Sequence, residues 1–230
     1  PILWNILLDV GLKRLSGKHP GIRFLAYADD LFVYLEEAGR GGAESELQAA
    51  LRELEEWAQS VGLRISAKKT QWVVFGAEPF DLTLRLKNGS VLEELEEGHE
   101  FLGVALDKKG FSGEEHARQV LNKLKQRTNV LLKMSKAAWG ASGDQLKRLY
   151  HGWVEAPLRY GATALASATP ATMRKIEHAQ ADAARIIKGF RFCDSADKAV
   201  LWDTQILPAR LLVRIECART GLRALAKEDP

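Results

Sequence analysis

Asp29 and Asp30 stand side by side in an otherwise apolar run, Phe24-Leu-Ala-Tyr-Ala-Asp-Asp-Leu-Phe-Val-Tyr-Leu35. Burying an ionised carboxylate without a partner costs several kcal/mol, so a chain that places two there must compensate for them. A β-hairpin is the cheapest arrangement: the arms are apolar, and the tight turn carries the acids into a cleft. A divalent cation then keeps both carboxylates ionised and takes them as oxygen ligands. Taken alone, an Asp-Asp dipeptide between two hydrophobic strands reads first as an ordinary hairpin turn, because Asp is favoured in turns. The aromatic and β-branched arms, and the order of the surrounding segments, give the metal-site reading its weight.

The elements that would position these acids follow from periodicity. Ile2, Leu3, Ile6, Leu7, Val10 and Leu15 recur near helical spacing, and the pattern stops before Gly17. Lys18-His-Pro-Gly21 reads as a turn and residues 23–36 as the hairpin. A second helix is expected over 43–61, with a stripe of Leu47, Leu51, Leu54, Trp57 and Val61 and with Gly62 as its C-terminal cap. Short strands follow at 71–75 and at the alternating Leu82, Leu84 and Leu86. Asn88-Gly89 marks a two-residue hairpin turn, Val91 starts the return, and 101–106 forms a last strand. This makes an α+β unit with an antiparallel sheet. Beyond Gly110 helices are expected near 113–138, 142–155, 171–188, 195–202 and 208–226, with Pro157, Pro170 and Pro208 near the breaks. The organisation is an α+β region over 1–108 followed by an all-helical region over 109–230.

At 230 residues the chain buries a substantial core. No apolar stretch approaches the roughly 18–20 residues that span a bilayer, and Ile2 to Val10 is broken by Asn5 and Asp9, so neither a membrane span nor a signal sequence is expected. The first methionine is Met134, so the chain reads as a piece of a longer frame. Cys193 and Cys217 lack zinc-knuckle company and read as core thiols in a reducing compartment. The net charge of +3 is uneven: residues 1–108 hold 12 Lys+Arg against 18 Asp+Glu, and residues 109–230 hold 21 against 12. An acidic region that collects metal joined to a basic region that meets phosphate suits a polymerase, although a basic helical bundle is equally a solvated surface.

Tyr27-Ala28-Asp29-Asp30 resembles the Tyr-x-Asp-Asp box of reverse transcriptases, the third palm motif of that family. Pro1-Ile-Leu-Trp-Asn-Ile-Leu-Leu-Asp9 resembles the tail of the preceding motif, Gly62-Leu-Arg-Ile-Ser-Ala-Lys-Lys-Thr70 the fourth, and Phe101-Leu-Gly-Val104 the fifth, the primer grip. The form of the fourth motif and the helical stretch Lys175 to Gly189 look most like non-LTR, LINE-type retrotransposon enzymes.

The resemblance implies a C-terminal palm and thumb fragment of an RNA-directed DNA polymerase, a nucleotidyltransferase using two magnesium ions. Asp29 and Asp30 would be catalytic metal ligands and Lys69 a catalytic lysine near the nucleotide phosphates. Tyr27, Phe101, Leu102 and Gly103 would support primer and nucleotide. The implied partners are an RNA template, a DNA primer, deoxynucleoside triphosphates and the remainder of a retrotransposon polyprotein, with an intracellular location in nucleus and cytoplasm. The family also draws an Asp from its first palm motif. Asp9, Asp81 and Asp107 lack that motif context, which leaves an alternative: an inactive, truncated retroelement remnant that at most binds nucleic acid. A third reading is an unrelated magnesium-dependent phosphotransferase with Asp29 and Asp30 in a different fold. In the helical region Trp139, Lys147, Arg148, Tyr150, Trp153, Arg159 and Tyr160 interleave aromatic and basic types. The basic ones suit phosphate contacts, while aromatics of this size are more often core.

Overall fold

Helix α1 (Ile2–Lys18) runs into an antiparallel hairpin, β1 (Ile22–Tyr27) and β2 (Asp30–Leu35), in a computed structural model that describes residues 2–36, 42–75, 82–95, 100–106, 112–136, 140–189 and 196–228. The hairpin register runs from Ile22 opposite Leu35 to Tyr27 opposite Asp30. Gly11 of α1 has no room for a side chain, because the ring of Trp57 fills that space. Trp57 belongs to α2 (Ala43–Ser60), whose end is a Schellman motif. Gly62 adopts φ 78°, its N–H bonds the Gln59 carbonyl at 3.1 Å, and Leu63 N–H bonds the Ala58 carbonyl at 2.8 Å. The cap expected at Gly62 is therefore in place.

The remaining strands of this part are short. Leu82, Leu84, Leu86 and Leu92 are buried against Leu47, Leu51, Ile65, Ala67 and Trp72. Buried Glu55 of α2 accepts from Lys87 N–H, and Gln48 pairs both ways with the Arg85 backbone. The turn between the leucine arms has three residues, Lys87 to Gly89, and not the two expected. Gly89 N–H bonds the Leu86 carbonyl, Gly89 adopts φ 82°, and Asn88 accepts from Ser90 N–H, a type I turn closed by a left-handed glycine. A second correction concerns the sheet. β3 (Gln71–Trp72) pairs in parallel with β4 (Glu93–Glu94), so the described strands form separate two-stranded sheets and no single antiparallel one.

A third correction falls on 101–106. This segment is a hairpin, β5 (Glu100–Phe101) and β6 (Val104–Ala105), turning through Leu102 at φ 49° and Gly103 at φ 78°. Two positive φ values in sequence make the primed turn that matches strand twist.

The helices match the periodicity closely. Helix α3 (Glu114–Met134) buries Ala117, Val120, Leu121, Leu124, Thr128 and Leu131, spaced three, four and seven apart, against α7 (Pro170–Ile187). Thr169 caps α7 through the Thr172 N–H, with Pro170 at its first position. Glu114 of α3 accepts from the Thr172 hydroxyl at 2.7 Å and from Thr169 N–H, and these hydrogen bonds hold its carboxyl below the ordinary range. The expected helix 142–155 is α4 (Gly143–Leu149) followed by a π-turn at Tyr150–Val154. The short helices α5 (Ala156–Tyr160) and α6 (Ala162–Leu165), then α8 (Asp197–Asp203) and α9 (Ala209–Glu228), complete the bundle. Buried Gln180 ties it together: it donates to the Tyr150 hydroxyl oxygen at 2.9 Å and accepts from Ala209 N–H at 2.7 Å, where α9 begins. Burial pushes the Tyr150 phenol well above its usual range.

The chain divides into two compact units, Pro1–Leu95 and Glu96–Pro230. The break lies upstream of the composition boundary near Lys108, because the 100–105 hairpin packs on α3 and belongs with the helices. No described helix is long and apolar enough to cross a membrane.

Candidate functional site

The first unit presents its paired acids at the tip of the β1–β2 hairpin. Tyr27 and Asp30 form the last strand pair, leaving Ala28 and Asp29 as the two turn residues. Ala28 adopts φ 53°, a conformation that costs an L-residue roughly 1–2 kcal/mol. The indole of Trp4 in α1 donates to the Ala28 carbonyl at 2.7 Å and helps hold that turn. Nothing in the spacing of the sequence singles out Trp4, because its partner lies 24 residues away and is a backbone atom.

Asp29, the second turn residue, and Asp30, the first residue of β2, are both exposed. Neither forms an ion pair among the described residues. Tyr27 sits opposite Asp30 and is 69% exposed. Two hard oxygen donors at the end of a fixed hairpin fit a divalent cation in kind. They do not complete a site: no group of three candidate ligands occurs among the described residues. Asp9 is exposed and pairs with Lys13 at 2.7 Å, while Asp81 and Asp107 lie outside the described residues.

Lys69 lies in the first unit too, on the turn after α2. Its N–H bonds the Ser66 carbonyl at 3.1 Å, and its exposed side chain, like that of Lys68, makes no ion pair among the described residues. No bond links Lys69 to the acids. Phe101, Leu102 and Gly103 belong to the second unit. There Tyr160 donates to the Leu102 carbonyl at 2.6 Å, its ring lies against Gly103, and Ala105 N–H donates to His116 Nδ1 at 3.2 Å. Phe101-Leu-Gly-Val104 is thus a tight turn, fastened by Tyr160 and His116.

Among the interleaved residues of the helical unit, Tyr150 is core, Trp153 and Tyr160 are exposed, and Trp139 lies outside the described residues. Cys217 is half-buried near the Ala162 carbonyl, and burial pushes its thiol up. Cys193 lies outside the described residues.

Residues 1–106 match the reverse transcriptase (RNA-dependent DNA polymerase) family. The chain is 26% identical over 163 residues to a putative 115 kDa protein of the type-1 retrotransposable element R1DM of Drosophila melanogaster, covering 70% of this chain and 15% of that protein. It is 24% identical over 168 residues to a retrovirus-related Pol polyprotein from the type-1 retrotransposable element R1 of Nasonia vitripennis, covering 71% of this chain and 49% of the relative. The chain thus spans half or less of the length of these relatives, and the aligned lengths exceed the 106 residues of the family match. No solved structure matches the chain significantly. The segment that carries Tyr27 to Asp30 is thus similar to the reverse transcriptase family, and the relatives that align beyond it come from type-1 retrotransposable elements.

Proposed function

We propose that the chain is the C-terminal palm and thumb portion of the polymerase of a LINE-type element, working by two-magnesium nucleotidyl transfer. The observation that carries this reading is the exposed Asp29–Asp30 pair at a hairpin tip closed by Tyr27, within the family-matched segment. The family is one of RNA-directed DNA polymerases that use divalent metal ions, and the two carboxylates suit magnesium as hard oxygen ligands. Magnesium bound there, with a further carboxylate from the first palm motif of the complete polymerase, would activate the primer hydroxyl and neutralise charge on the leaving pyrophosphate. Asp29 and Asp30 would hold the ions, Tyr27 would support the primer terminus, and Lys69 would meet nucleotide phosphates as a mobile point charge. The turn at Phe101 to Gly103 would position the primer through its backbone, and the basic helical unit would contact phosphates of an RNA template and DNA primer without reading sequence. The remainder of a retroelement polyprotein and an intracellular setting in nucleus and cytoplasm belong to the same reading.

Primer extension by the reading frame that contains this chain tests it. Asp29→Ala and Asp30→Ala are each expected to abolish synthesis, and undiminished synthesis refutes the reading. One observation favours a second reading, an inactive remnant that at most binds nucleic acid: no third metal ligand joins the pair among the described residues. That reading predicts salt-sensitive nucleic-acid binding with no incorporation by any form of the frame.

A further inference from the structure

A cavity of about 520 Å³ opens on the helical unit between the end of α3 and the α4–π-turn segment, lined by Met134, Ala141, Gln145, Arg148, Gly152 and Trp153. Its construction starts at Pro157. Proline has no N–H and crowds the carbonyl four residues back, that of Trp153. The chain responds with the π-turn, in which Glu155 N–H bonds the Tyr150 carbonyl five residues back. The extra residue leaves Tyr150 and Val154 both sealed in the core and puts Gly152 and Trp153 together at the surface. Arg127 of α3 donates to the Trp153 carbonyl that Pro157 leaves without a helical partner, and its guanidinium lies over the Trp153 ring at 5.4 Å.

Gly152 is the residue that folding does not explain. Glycine inside a helical run costs about 1 kcal/mol relative to alanine. Here its φ is not positive and, its chain neighbours and local helix backbone aside, no atom among the described residues lies within 4 Å of where a Cβ would stand, so neither backbone conformation nor tertiary crowding requires it. Gly152 lines the same cavity as the ring of Trp153, which is 39% exposed. Arg148 lines the same cavity and makes no ion pair among the described residues, and Arg127 meets the Trp153 ring and carbonyl. An exposed indole in a cavity that Arg148 also lines, with the Arg127 guanidinium against the ring, matches a planar base attached to a phosphate.

We propose that this cavity receives one unpaired base of single-stranded nucleic acid, stacked at Trp153, with Arg148 on the adjoining phosphate. The proposal rests on the reading that the helical unit meets nucleic acid, and it adds an unpaired strand to the duplex contacts named there. Gly152 keeps the floor open for the base.

Fluorescence anisotropy of the full chain with a short labelled oligouridylate, and separately with a blunt duplex, tests it. Gly152→Leu fills the floor without removing a contact and melts at or above the wild-type temperature. It is expected to weaken single-strand binding roughly fivefold or more, as loss of one stacked base implies, and to leave duplex binding within about twofold. Arg148→Ala weakens single-strand binding as well. Unchanged single-strand affinity in Gly152→Leu, or an equal loss for both probes, overturns this site alone while wild-type binding stands. Displacement of the oligomer by uridine monophosphate at equal affinity overturns the strand as the occupant. Wild-type chain that binds neither probe overturns the site together with the nucleic-acid part of the proposed function.

Discussion

In the helical unit Leu124, Leu131, Tyr150, Leu158 and Ile176 are sealed completely, whereas in the first unit Ile2, Leu3, Ile6 and Val10 of α1 and Leu25 and Tyr27 of the hairpin meet solvent. The helices bury one another, and their polar groups close the ends: Gln180 fixes the start of α9 and Glu114 the start of α7. The first unit holds its hairpin more lightly, through the Trp4 hydrogen bond and the packing of α1 on β1. Sealed side chains carry folding energy. The hairpin tip, with two exposed acids and a residue at positive φ, contributes little to folding, which suits the binding role proposed for it.

Removing a sealed side chain breaks this contrast most severely. Leu124→Ala is expected to cost about 3–4 kcal/mol in urea unfolding, and Leu25→Ala in β1 less than about 0.5 kcal/mol. Comparable losses would show that the hairpin is as deeply packed as the bundle. Gln180→Ala strands the Tyr150 hydroxyl and Ala209 N–H, at an expected cost of about 2–3 kcal/mol read by the same method. Gly11→Ala drives a methyl group into the Trp57 ring and should destabilise the first unit by about 1–3 kcal/mol. Amide exchange would report faster opening in α1 and α2 with α3 and α7 unaffected.

A smaller, pH-dependent effect distinguishes the 100–105 hairpin. Burial, aided by Lys123 and opposed by Glu100, lowers the His116 pKa, and the neutral ring accepts from Ala105 N–H. A histidine depressed in the folded state contributes stability above its ordinary value of about 6.5 and loses it as pH falls through the lower, folded value. The helical unit should therefore lose stability in mild acid, and His116→Gln should flatten that part of the profile. A profile unaltered by the substitution would show that another group titrates.

The hairpin, the Gly62 cap and the helices of the second unit were legible because each depends on local period or on one residue's conformational need. The parallel pairing of Gln71 with Glu93 was not, since a two-residue strand carries no period and its partner is distant. The turn at Leu102 and Gly103 reads in sequence as one continuous apolar strand, because Leu102 is an unusual residue for positive φ. The π-turn follows from Pro157 only once the neighbouring helix is known to supply Arg127. At the site, the acids stood out as charge in an apolar run, whereas Trp4, Tyr160 and His116 act through backbone atoms that no side-chain pattern reveals.

Under the proposed function Asp29 and Asp30 are ligands first and structural residues hardly at all. The most direct measurement is the rate of magnesium-dependent nucleotide incorporation by the reading frame containing this chain, with Asp29→Asn compared against Asp9→Asn. Asp29→Asn should reduce incorporation by roughly a hundredfold or more, the scale of losing a preorganised charge contact at a reacting centre, with an unchanged melting temperature. Asp9→Asn, which removes only a surface pair with Lys13, should be near wild type. Equal rates for the two variants would contradict the claim.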